Sequence, residues 1–340
     1  MLQVGIVGLP NVGKSTLFNA LTVAGAPAEN YPFCTVDPNI GVVEVPDDRL
    51  EVIRGIMESK ESVPTFIRFV DIAGLVEGAS RGEGLGNRFL AQIREVDAIA
   101  HVLRFFHDPD VTHVTGTVDP ARDLGIVDTE LALADLETVE RRREKVEKKA
   151  RSGEAEAAEE MAVLDRLYRA LDEGIPLRRL ALSPQEEAGV AELNLLTRKP
   201  VLYVANIGEE GSREELERWT EAGGEPPVPV ALSLEVELTA LETEEREEFL
   251  AELGFQEGAL ARLIRRAYEA LDLITFFSAN DKQATAWAIR RGTRAPEAAG
   301  VIHSDFQQGF IRAETIGHRE LVDAGSMKVR SEERRVGKEC

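Results

Sequence analysis

Two glycines, a lysine and a serine near the start of the chain are spaced so that they can hold phosphate: Gly8-Leu9-Pro10-Asn11-Val12-Gly13-Lys14-Ser15. Glycine lets backbone approach a ligand closely. Inward-pointing N–H groups then neutralise clustered negative charge without bulky side chains. A lysine after the second glycine can reach the β and γ phosphates of a nucleotide, and the hydroxyl that follows suits a hard cation. The chemistry implied is Mg²⁺-dependent binding and hydrolysis of a nucleoside triphosphate. Gly8, Asn11, Val12, Gly13, Lys14, Ser15 and Thr16 are the expected phosphate-side residues, with Lys14 also counted as catalytic and Ser15 as a metal ligand.

Such a spacing has meaning only between a strand and a helix. Leu2–Val7 is a short apolar run ending at glycine, which reads as a buried strand, and Ser15–Thr22 reads as a helix start. The helix adds the positive end of its dipole. Thr65–Val70 reads as a second strand running into Asp71-Ile72-Ala73-Gly74. In that position Asp71 is expected to hold Mg²⁺ through water, and the Gly74 N–H to meet the γ-phosphate. Between these motifs, Asn30–Asn39 is a polar, proline-punctuated loop. Its Thr35 is expected to close over the metal when the γ-phosphate is present and to release when it leaves. Cys34 beside it reads as a plain buried thiol.

Further strands are expected at Ile40–Val45, Ala98–Phe105, Pro200–Ala205 and Val228–Leu232, a helix at Leu260–Leu271, and a mobile glycine-rich stretch at Gly78–Asn87. Alternating strands and helices predict a mostly parallel sheet covered on both faces. Thr129–Glu173 differs, with Leu131, Leu133, Leu136, Val139 and Val146 set among dense charge and a break at Ser152-Gly153. This predicts an αα-hairpin or antiparallel coiled coil inserted in the α/β domain. From Leu273 onward, Ile274–Asn280 and Gly300–Phe306 read as strands of a small α+β module.

The strand at Pro200–Ala205 is followed by Asn206-Ile207-Gly208-Glu209. Guanine-specific relatives carry Asn-Lys-x-Asp there, and the aspartate grips the guanine N1 and N2 hydrogens. Here the lysine is missing and glutamate stands in the aspartate position. Adenine has a donor at its 6-position where guanine has an acceptor, so Asn206, Ile207, Glu209 and Phe106 are the expected base contacts. A bare turn cap is the alternative reading of Asn206.

The formal charge of −21 excludes general binding to a phosphate backbone and leaves only local basic patches for nucleic acid. The strongest is Arg141–Arg151, with seven positive and two negative residues. It reads either as an RNA- or ribosome-contacting tip or as a solvated helix face with i,i+4 pairs such as Glu144–Lys148. Arg290, Arg291 and Arg294 are a smaller case. Two cysteines, Cys34 and Cys340, make no disulfide framework, which suits a reducing compartment. Neither a targeting leader nor a membrane-length apolar run is evident.

The segments Gly8–Thr22, Asn30–Asn39, Asp71–Leu90, Asn206–Glu210 and Ala298–Ile316 together resemble the YchF/Obg-like ATPase family, over Met1 to about Met327. The resemblance implies an α/β P-loop NTPase of Obg type in two parts, 1–128 and 198–272. A helical coiled-coil insertion (129–197) and a small C-terminal α+β TGS domain (273–327) complete it. It further implies a cytoplasmic protein that prefers ATP to GTP and associates with the ribosome or its large subunit; a monomer is expected. The residue after the Asp71–Gly74 motif is Leu75, where Ras-like enzymes orient water with glutamine. The family's substitute is a loop histidine, which matches His113 and makes it the candidate catalytic residue of a slow hydrolase. The tail, 328–340, departs from the family pattern and does not read as the end of a β-sheet domain. Two other readings remain open: an Obg-type GTPase acting on ribosomes, and a nucleotide-gated scaffold whose hydrolysis is incidental.

Overall fold

A computed structural model of the chain describes residues 2–24, 38–74, 85–208, 213–221, 224–252, 255, 257–325 and 334–337. Thr35, Leu75, Glu209 and the two cysteines lie outside the described residues.

The first half of the chain forms β1 (Gln3–Val7), α1 (Lys14–Ala24), β2 (Ile40–Glu44), α2 (Arg49–Met57), β3 (Glu61–Val63), β4 (Phe66–Asp71), α3 (Leu85–Glu95), β5 (Ala98–Arg104), α4 (Pro120–Arg151) and α5 (Ala155–Asp172). There follow α6 (Pro184–Val190), β6 (Val201–Asn206), α7 (Arg213–Glu221), β7 (Val228–Val230), α8 (Leu232–Leu238), α9 (Thr243–Glu252) and α10 (Ala259–Ala270). The chain ends in β8 (Leu273–Ala279), β9 (Gln283–Arg290), α11 (Ala295–Ile302), α12 (Ser304–Gln308), β10 (Arg312–Thr315), α13 (His318–Ala324) and β11 (Arg334–Gly337). No described helix is long and apolar enough to cross a membrane. Two compact units divide the chain: 2–41 with 68–263, and 42–67 with 264–340.

The large sheet runs β2-β4-β1-β5-β6-β7. β1 pairs in parallel with β4 and β5, β5 with β6, and β6 with β7. β5 is buried along its whole length, as a central parallel strand covered on both faces must be. Two of its residues, His101 and Arg104, are nonetheless polar and buried. α1 anchors the loop before it by burying Leu17 and Leu21 completely.

The insertion begins earlier than its sequence suggests, because α4 starts at Pro120. Asp119 caps it by accepting from Arg122 N at 3.1 Å, and Pro120 supplies a preset φ in the first turn. The chain reverses at Ser152-Gly153, where Gly153 has φ 88°. Val139, Val146, Leu164 and Leu167 of the two helices share their core with Leu177, Val190 and Leu195. The insertion is therefore a hairpin closed by a third layer, not a free two-stranded seam.

In the smaller unit, β8 and β9 are antiparallel and β3 pairs in parallel with β9. Residues 49–63, which the sequence reading places with the nucleotide domain, form α2 and β3 of this unit. Their α2 buries Leu50 and Ile53 against Ala284, Ala286 and Leu321. Gly300–Phe306 is not a strand. It spans the end of α11 and the start of α12, with an extended break at His303. Ala-Ala-Gly-Val-Ile has no period that separates buried helix from strand, and the local signal is Pro296 with Glu297 in the first turn. The tail also differs from expectation, since Arg334–Gly337 pairs antiparallel with Arg312–Thr315.

Asp135 fixes the hairpin to the segment that returns to β6. It is fully buried, and it accepts from Leu196 N at 2.8 Å, Thr197 N at 2.8 Å and Thr197 Oγ1 at 2.7 Å. Asp135→Ala strands these donors, and we expect it to lower the unfolding free energy of this unit by about 3 kcal/mol. The change is read as a reduced urea midpoint at constant slope, and an unchanged midpoint contradicts the role.

Candidate functional site

The loop between β1 and α1 closes on itself. Gly13 has φ 102° and Asn11 φ 61°, both in the left-handed region. The first intrahelical bond of α1 is Leu17 N to Gly13 O at 2.9 Å, so the N–H groups of Lys14, Ser15 and Thr16 have no acceptor within the helix. No acidic residue sits in the first turn of α1 to neutralise its positive end. Ser15, Thr16 and Asn11 are exposed there, whereas Val12 is buried. The Lys14 ammonium donates across the loop to Leu9 O at 2.8 Å. Gly74 comes close to this ammonium: a Cβ on it would stand 2.9 Å from Lys14 Nζ, so a side chain there would crowd the cation. The motifs at Gly8–Ser15 and Asp71–Gly74 thus form one site.

Ser15 Oγ donates to Asp71 Oδ2 at 2.9 Å. A hydroxyl and a carboxylate side by side are hard oxygen donors, the set that suits Mg²⁺ when substrate phosphates complete the shell. Among the described residues no three His, Cys, Asp or Glu side chains cluster as a self-sufficient metal site. The residues fit a magnesium shared with nucleotide, with Ser15 and Asp71 as the protein's share.

The residues expected on the base side lie at or just beyond the ends of β5 and β6. Asn206 is buried, and its Nδ2 donates to Val12 O at 2.9 Å. A Cβ on Gly13 would lie 2.5 Å from that same nitrogen. Asn206 therefore braces the phosphate loop, a role beyond capping a turn. Ile207 packs beside the cluster of Leu103, Phe105, Tyr203, Ala205 and Trp219. Phe106 is half-buried, and its Cβ is 3.7 Å from where a Cβ on Gly208 would stand.

The loop of His113 is tied to this block, but the histidine is not presented to it. Asn11 Nδ2 donates to Thr112 O at 3.1 Å, which ties the histidine's loop to the phosphate loop. The His113 ring is buried. Its Nε2 bonds Asp123 Oδ2 at 2.8 Å and its Nδ1 accepts from Thr115 N at 3.2 Å. Burial raises the Asp123 carboxyl above its ordinary range, against the pull of His113 and Arg122. In this arrangement both ring nitrogens are engaged, so the histidine holds its own loop. The sequence reading missed Arg104 and Asp123. Arg104 had a signal, an arginine at the end of a strand that is apolar apart from His101, and Asp123 had none beyond its place in the first turn of α4.

Burial lowers the Lys14 ammonium to about 8, partly offset by the Asp71 carboxylate. A bound triphosphate favours the charged form, so binding takes up a proton wherever the free lysine is neutral. We expect magnesium–nucleotide affinity to be level below about pH 7 and to fall as pH rises through about 8. Calorimetry near pH 9 in buffers of different ionisation enthalpy should read uptake approaching about one proton, and none in Lys14→Ala. Constant affinity across this range contradicts the assignment.

Comparison with known proteins agrees with this geometry. A family model described as "50S ribosome-binding GTPase" matches residues 3–132, and a YchF-GTPase C-terminal model, described as a protein of unknown function, matches 273–339. The chain is 49% identical over 334 residues to "Ribosome-binding ATPase YchF" of Bacillus subtilis, covering 96% of this chain and 91% of that one. The protein of the same name from Escherichia coli O157:H7 is 49% identical over 323 residues, 94% of this chain and 89% of that one. A solved structure, that of the Schizosaccharomyces pombe YchF GTPase, is similar at a TM-score of 0.88 and 37% identity, covering 99% of this chain and 94% of that one. The C-terminal match runs through the tail that had read as foreign, and it names a YchF-type module, not a TGS domain. With near-complete coverage at this identity, and the phosphate loop, Asp71 and Asn206 meeting in one site, the chain belongs to the YchF family of P-loop nucleotide-binding proteins.

Proposed function

We propose that the chain is a Mg²⁺-dependent, ATP-selective and slow nucleoside triphosphatase that associates with ribosomes in the cytoplasm. Printed names of its relatives divide between ATPase and GTPase, so the base must be argued from residues. The observation that carries the reading is the Asn206 amide. One of its two N–H donors is committed to Val12 O, which fixes the amide's orientation, and in this reading the carbonyl Oδ1 is the group that meets the base. An acceptor there favours the 6-amino group of adenine and disfavours the 6-oxo group of guanine. The second support is Ile207 in place of the lysine of guanine-specific sites.

In this reading Lys14 and the N–H groups at the start of α1 hold the β and γ phosphates. Ser15 and Asp71 hold Mg²⁺, which supplies charge neutralisation on the phosphates when bound. Thr35 closes over the γ-phosphate side, Ile207, Glu209 and Phe106 flank the base, and Gly74 N–H meets the γ-phosphate. Water attack is slow because Leu75 cannot orient water. His113 assists only in a conformation in which Thr115 has released its Nδ1. The ribosome-facing surface is the hairpin end. There Arg141, Arg142, Arg143 and Arg151 are paired with Glu137, Glu160, Asp165 and Glu147. Lys145, Lys148 and Lys149 are exposed and make no ion pair among the described residues, and no Glu144–Lys148 pair forms there. Unpaired cations are the ones available to phosphate.

Competition of ATP and GTP for one labelled nucleotide, with and without Mg²⁺, tests the site. ATP should displace the label at concentrations at least about tenfold lower than GTP, a preference lost in Asn206→Ala. Equal or tighter binding of GTP sinks the base assignment, and parental single-turnover hydrolysis by His113→Ala removes the histidine from the mechanism. For the tip, Lys145→Glu/Lys148→Glu/Lys149→Glu should weaken co-sedimentation with ribosomes and flatten its salt dependence by about three phosphate contacts, with ATP affinity unchanged. An unaltered salt slope places the contact elsewhere.

A further inference from the structure

Arg104 is the largest buried polar side chain of the central sheet, 1% exposed at the end of β5, and nothing in the nucleotide chemistry above uses it. A guanidinium in a fully buried strand is costly unless something holds it. Here its plane lies over the Phe106 ring, 4.3 Å from the centroid. Its Nε donates to Phe106 O at 3.1 Å and its Nη2 to Asp108 O at 3.3 Å, so one planar fork spans the turn that follows β5. Nη1 is buried without a partner. Burial opposes the charge, and the carboxylates of Asp108 and Asp123 support it.

The placement is specific. Arg104 is the register partner of Asn206, and Phe105 N donates to Asn206 O at 2.9 Å. Phe106 follows directly, its Cβ 3.7 Å from where a Cβ on Gly208 would stand, with one face of its ring covered by the guanidinium and the residue as a whole half-buried. A rigid fork can hold a ring and two carbonyls together, while an ammonium on a flexible stem cannot. We infer that Arg104 is a positioning residue for the base: it backs the Phe106 ring and clamps the turn at 106–108, so that the ring stands as a preformed wall for a purine. This rests on the reading of Asn206–Gly208 as the base edge, and it applies to any nucleobase.

The test separates base from phosphate. Calorimetry with Mg²⁺ compares ATP and inorganic tripolyphosphate on the parent chain, Arg104→Met and Arg104→Lys. Arg104→Met should weaken ATP about 5- to 30-fold, the range of a desolvated cation–ring contact, and leave tripolyphosphate unchanged. Arg104→Lys should fall between the two. Parental ATP affinity in Arg104→Met, or equal loss on both ligands, overturns the inference. If Arg104→Met does not fold, as judged by circular dichroism, the ratio is read in Arg104→Lys, and a parental ratio there overturns it. A parent chain that binds ATP and GTP alike refutes the choice of adenine but not this role, because the reference probe has no base.

Discussion

The Asn206 side chain, inserted between the phosphate loop and the end of β6, sets the geometry of everything around it. Its amide is bonded to Val12 O at 2.9 Å, and Gly13 must lack a Cβ because that nitrogen occupies the space. Leu232 of α8 presses on the same glycine, with a Cβ there 2.9 Å from its Cδ1. A buried carbonyl that loses its donor bears the full cost of desolvation. The phosphate loop therefore takes its shape partly from a residue 194 positions away in sequence. β5, paired with β1 on one side and β6 on the other, fixes the distance between them.

That junction also organises the loop after β5. Phe105 is bonded to Asn206, Thr112 to Asn11, and His113 to Asp123 in the first turn of α4. α4 is 32 residues long in all, about 48 Å, and carries the exposed lysines of the hairpin end near its far terminus. One continuous helix thus joins the buried His113–Asp123 hydrogen bond beside the phosphate loop to the most basic segment of an acidic chain. A change in the loop that moves Asp123 has a long helix on which to act, and the third layer with Leu177, Val190 and Leu195 packs in the core that α4 shares with α5.

Much of this was legible in the sequence because the phosphate chemistry is local. Gly8–Ser15 and Asp71–Gly74 each contain their own signal, and the structure joins them through Ser15 and Asp71 and through Lys14 and Gly74. The parallel sheet was legible because buried strands read as apolar runs. What was hidden depends on partners distant in sequence. That α2 and β3 belong with β9 cannot be seen in Arg49–Val63, whose apolar residues are too few to name a partner. Residues 300–306 looked like a strand because the apolar run that leads into them is short and without period. The engaged state of His113 depends on Asp123, and the second role of Asn206 on Val12. Both are tertiary facts.

Asn206 is where the account can be tested most directly. As a brace it shapes the phosphate loop, and in the proposed function it is also the acceptor for the base. Calorimetry of Asn206→Ala with Mg²⁺-tripolyphosphate separates the two. The account predicts that this base-free ligand binds clearly more weakly than to the parent, because the phosphate loop has lost its tie at Val12. Parental tripolyphosphate affinity, with only ATP weakened, would contradict it and reduce Asn206 to a reader of the base.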